Sequence, residues 1–207
     1  MGLRTGDSAE GYTGAIDMSS GSSLTKSGAI DLHAGHASAG IGGSIILSGG
    51  SSHTSTGGHI IMNSGPSAEG SSGAIYLATL DSESSAGASG NIAVKTGRAT
   101  EGRSGDVTVR TGASTGTKSG TVSVNAGHSD ASAGGDITIS AGDSASSTGG
   151  SVSFMSGQGG DSAESGSINI ATAKTNSAGS TGAITLLTGS TAAGSSGRIL
   201  IESGNSV

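Results

Sequence analysis

Cysteine and tryptophan are both missing from the 207 residues, and the chain has one proline, one phenylalanine and two tyrosines. Without cysteine there is no disulfide framework and no thiolate metal centre, and the redox compartment stays open. With aromatics at 1 %, the large side chains that usually fill a globular core are lacking, so an ordinary core is excluded. Charge is scarce as well: nine Lys and Arg against fifteen Asp and Glu, a net −6. That mild acidity keeps a surface soluble and argues against a nucleic-acid partner. No apolar run reaches spanning length and no signal-peptide pattern opens the chain, so membrane insertion is not expected.

What the chain has instead is glycine, 41 residues of it, among serine, threonine and alanine. Without order such a composition reads as a flexible linker. Order is present. A glycine opens a short apolar phrase at 14, 28, 43, 58, 73, 90, 105, 120, 135, 150, 166, 182 and 197, a period of 15 with a few length variants. Gly105-Asp106-Val107-Thr108-Val109-Arg110-Thr111-Gly112 is typical. Two apolar positions alternate in each phrase, from Ile16/Met18 to Ile199/Ile201. Alternation with period two and β-branched enrichment predict strands with one buried face. A repeat this short cannot bury a face alone, so each is expected to stack on its neighbours.

The expected fold is therefore all-β: one β-solenoid domain over 1–207, a parallel β-helix of about 13 coils of 15 residues around a flat, thin core. A small residue and usually a glycine follow each phrase, as in Ala34-Gly35 and Thr96-Gly97. There a corner with positive φ is expected. Small residues such as Ala99, Ser114, Ser129 and Ser144 would line the opposite wall. Both ends stop within a repeat, which suggests a segment of a longer array.

Few residues suggest chemistry. The position between the two apolar ones carries Ile46, Ile61 and Tyr76 on adjacent repeats, an apolar stripe suited to a partner. Farther along, the same position carries Thr108, Ser123, Thr138, Ser153, Asn169 and Thr185, a ladder of hydroxyls with one amide that would order ice or water. Lys95, Arg98, Arg103, Arg110 and Lys118 gather five of the nine basic residues, suited to acidic sugars, with Glu101 and Asp106 among them. Asp17 and Asp31 would stack as like charges, and the histidines at 33, 36, 53, 59 and 128 lack metal-ligand spacing. Gly112-Ala113-Ser114-Thr115-Gly116 matches a nucleophile elbow in letters only, with no helix to follow it. No catalytic residue, cofactor or metal site is expected, and the protein is read as not an enzyme.

The short Gly/Ser-rich repeats resemble in style the repetitive surface proteins of microbes and algae. In period and small-residue core they are also similar to antifreeze solenoids. The first resemblance implies a rigid, non-catalytic stalk or fibre, adhesive in some settings, at an extracellular or virion surface. Its partners would be further copies, end to end or side by side. The second implies an ice-binding face on the hydroxyl ladder. Glycans are the remaining candidate ligand.

Overall fold

The computed structural model describes residues 2–84, 87–175 and 178–204. Among them there is no helix and no strand, only bends and one short turn between irregular segments. The all-β expectation is overturned: this is neither a β-solenoid nor a β-helix. No described residue is buried, so there is no flat, thin core. Even the best covered large apolar side chain, Val152, keeps 47 % of its surface exposed.

The reason lies in which residues the backbone brings together. A solenoid needs hydrogen bonds between residues one coil, about fifteen positions, apart. Here they form inside a repeat instead. The Gly43 N–H donates to the Gly35 carbonyl at 2.9 Å, Gly58 to Gly50 at 2.8 Å and Gly73 to Gly65 at 3.0 Å. Later in the chain Gly135 donates to Gly127 at 3.0 Å, Gly150 to Gly142 at 2.9 Å and Gly166 to Gly157 at 2.9 Å. Each bond joins the glycine that opens a phrase to the glycine that ended the previous one. The polar run between them becomes a closed loop with a glycine neck. Two aliphatics per repeat add little against this, because burial stabilises in proportion to area removed from water. Alternation fixes which way side chains face but does not specify a partner.

Inside the loops, serine hydroxyls replace backbone partners. Ser52, Ser67, Ser129 and Ser144 each accept the N–H three residues on, at 2.9 to 3.0 Å, and Ser114 does so at 3.2 Å. The half-buried positions are small residues at or within the loops, among them Ser64, Ala99, Ser129 and Ala141. Of the small positions read from the sequence, Ala99 and Ser129 are half-buried while Ser114 and Ser144 are exposed, so they form no second wall.

The corner glycines also act differently from expectation. Among the described residues only Gly40 and Gly194 have positive φ, 115° and 134°. The neck glycines are needed for close approach. A Cβ on Gly58 would lie 2.9 Å from the Gly50 nitrogen, and one on Gly43 would lie 3.1 Å from the Gly35 nitrogen. A Cβ on Gly49 would collide with the Gly58 carbonyl.

Among loops of equal length, the residue before the loop separates open necks from closed ones. Every opening glycine from Gly14 on, Gly58 apart, sits against the side chain just before the previous loop began. In the six closed necks that position holds Ala34, Gly49, Ser64, Ala126, Ala141 and Ser156. Loops as long as five of these six follow Thr5, Thr96, Thr111 and Thr188, yet no backbone bond joins their glycines. There the opening glycine meets threonine Cγ2, for instance 3.2 Å from a Cβ built on Gly120 to Thr111 and 3.5 Å from one on Gly105 to Thr96. The β-branched methyl fills the space that lets the two backbones meet.

Necks also disclose a longer period. Among the described residues, in chain order, no neck bond forms at Gly14 or Gly28, bonds close at Gly43, Gly58 and Gly73, and none forms at Gly90. The series then repeats among the described residues: none at Gly105 or Gly120, closed at Gly135, Gly150 and Gly166, none at Gly182. Corresponding glycines lie 91 to 93 residues apart. Leu80 and Ala173, the two residues that stand where the loop glycine belongs, fall at matching places. The chain divides into two units, Met1–Gly105 and Asp106–Val207. The division falls where the second six-repeat series starts.

Candidate interaction surfaces

The apolar stripe lies on the three closed-neck repeats of the first unit. Ile46 is 82 % exposed, Ile61 75 % and Tyr76 91 %. Their flanking partners Ile45, Leu47, Ile60, Met62, Ile75 and Leu77 are exposed too, so each repeat offers three consecutive apolar residues. Between residues 32 and 68 there is no Lys, Arg, Asp or Glu.

The hydroxyl ladder is also on the surface, all six residues exposed. It is not a continuous array. Ser123 accepts a hydrogen bond from the Asn125 amide Nδ2 at 2.6 Å within its own segment. No hydrogen bond joins one ladder residue to the next among the described residues. Allowing for the longer period, Thr138, Ser153 and Asn169 occupy in the second unit the places that Ile46, Ile61 and Tyr76 occupy in the first. Stripe and ladder are thus one position read in two copies, which sequence reading at a period of 15 does not reveal.

The remaining candidates do not converge. No group of three His, Asp or Glu able to hold a metal exists among the described residues, and they form no pocket. His128 Nε2 and Asp130 Oδ1 approach to 3.1 Å, both almost fully exposed. Asp17, Asp31 and the basic residues 95, 98, 103, 110 and 118 all lie on the surface. Ser114 of the elbow-like motif bonds the Thr117 N–H within its own loop. No helix among the described residues is long and apolar enough to cross a membrane.

No protein-family model, curated protein or solved structure matches this chain. Its resemblance to surface repeat proteins therefore rests on sequence character alone.

Proposed function

We propose that the chain is a structural, non-catalytic repeat module, a spacer at a cell or virion surface whose reach scales with the number of repeats. The observation that carries this is the neck series: three locally closed loops in a row, at Gly43, Gly58 and Gly73, recur at Gly135, Gly150 and Gly166. A local geometry that recurs in each six-repeat series compounds into a fixed displacement per series. Length then needs no core, so repeats can be added without redesigning the chain. The ice-binding reading is weaker, since the ladder hydroxyls are irregular and Ser123 is already engaged.

The test is distance against repeat number. Dyes at residues 8 and 195, read by single-molecule energy transfer, should separate in direct proportion as whole 15-residue repeats are inserted between 120 and 135. A flexible Gly/Ser chain would instead grow as the square root of length, about 5–6 Å × √n. Square-root growth would remove the spacer reading.

A further inference from the structure

We propose that the histidine-bearing stretch of the first unit, residues 32–68, is an acid-gated docking surface whose occupant is the carboxylate-bearing stretch 130–164 of a second copy of this chain. The inference goes beyond the spacer reading and does not rest on it.

Four of the five histidines, His33, His36, His53 and His59, fall in the stretch that holds no Lys, Arg, Asp or Glu. All four are exposed, and none has a hydrogen bond or ion pair among the described residues. No described residue is buried, so no charged group packs over them. The corresponding repeats of the second unit are the reverse. Asp130, Asp136, Asp143, Asp161 and Glu164 stand there, all exposed, and residues 130–164 include no Lys, Arg or His. Gly43 and Gly135, like Gly58 and Gly150, lie 92 residues apart, which aligns the two stretches place by place. Ser38, Ser44 and Ser51 hold the places of Asp130, Asp136 and Asp143, while Asn125, Ala145 and Ser151 hold those of His33, His53 and His59. Both units close the same necks, so the backbone requires neither set of ionisable groups.

One place shows the pairing in small. His36 corresponds to His128, whose Nε2 lies 3.1 Å from Asp130 Oδ1. In the first unit that carboxylate is replaced by Ser38. His36 keeps the imidazole and has lost the counter-group, and the other three histidines have no carboxylate within the stretch either. Once charged, they draw a carboxylate from outside it.

Acid sets the gate. At neutral pH the stretch is uncharged and the net −6 keeps copies apart. Imidazoles as a class take up protons between about pH 8 and 5, whereas carboxyl groups stay ionised down to about pH 4. Between those limits, four positive charges in one stretch face five negative ones in the other. The attraction needs no shared face, since it acts between the net charges of exposed segments over a screening length of about 8 Å. The basic residues from Lys95 to Lys118 draw the same acidic stretch, but that pull does not change across this range. The acid-dependent increment therefore belongs to the histidines.

The experiment is sedimentation velocity on the full chain at micromolar concentration, at about pH 7.5 and about pH 5.5. Wild type should associate about tenfold or more tightly at the lower pH, the scale of several weak exposed ion pairs acting together. About 0.5 M NaCl should cancel the gain. The variant His33→Asn, His36→Asn, His53→Ala, His59→Ser should lose it. So should Asp130→Ser, Asp136→Ser, Asp143→Ser, which takes the residues of the first unit. Protonation also lowers the repulsion of the whole chain, so a control removes four basic charges elsewhere: Arg4→Gln, Lys26→Gln, Lys174→Gln, Arg198→Gln. It should keep the gain. Three results overturn the proposal: wild type that associates equally at both pH values, a histidine variant that keeps the gain, or a control that loses it as fully as the histidine variant does. An acid response at constant molecular mass also overturns it, because the occupant is then not a second copy.

Discussion

Replacing Ala141 by threonine will open the neck between Gly142 and Gly150, and replacing Thr111 by alanine will close the one between Gly112 and Gly120. The first neck is closed at 2.9 Å, and the side-chain atom nearest a Cβ built on Gly150 is the Ala141 Cβ at 3.2 Å. Threonine adds the Cγ2 that in the unclosed neck stands 3.2 Å from a Cβ built on Gly120. Both loops have the same length, so the substituted side chain is the variable. A backbone hydrogen bond contributes about 1 kcal/mol net. Amide exchange at Gly150 should therefore quicken about fivefold in the first variant, and at Gly120 slow by a similar factor in the second, with ~1 kcal/mol as the governing scale. NMR exchange rates, with the through-bond coupling across N–H···O=C as a second readout, check both. If the two glycines respond alike, threonine is not the wedge.

Urea will produce no cooperative unfolding transition. The slope of stability against denaturant follows the area that unfolding exposes, about 1–3 kcal/mol per molar for a small protein in urea. No described residue here is buried, so little area remains to be exposed. Circular dichroism from zero to 8 M urea should drift smoothly as individual necks open. A sigmoidal transition shared by several probes would establish a core and refute the fold described above.

Much of the local organisation is legible in the sequence. The 15-residue repeat and the glycines that bound its apolar phrase follow from spacing and alternation. The step from repeat to solenoid does not follow. Alternation at Ile45 and Leu47 says that these side chains share a side, but nothing in it states whether that side meets another repeat. Gly35 suggested a corner by its conformational freedom, and Gly43 the opening of a phrase. They act by their lack of a Cβ, a property that shows only when the backbones are seen to meet. Thr96 and Ala141 look interchangeable as small residues before a glycine, yet the β-branched one stands at an open neck and the other at a closed one. The pairing of stripe with ladder was hidden because the first repeat is 14 residues and the later variants shift the register. Counting on necks recovers the spacing of 91 to 93.

Residue-resolved hydrogen exchange in dilute solution tests the central claim most directly: closure is local, by glycine necks, with no shared core. Protection should be confined to isolated neck amides, Gly43, Gly58, Gly73, Gly135, Gly150 and Gly166, while Gly14, Gly105, Gly120 and Gly197 exchange freely. Continuous protected blocks over the apolar phrases, such as Ile45 to Leu47 and Ile60 to Met62 at a common level, would contradict it.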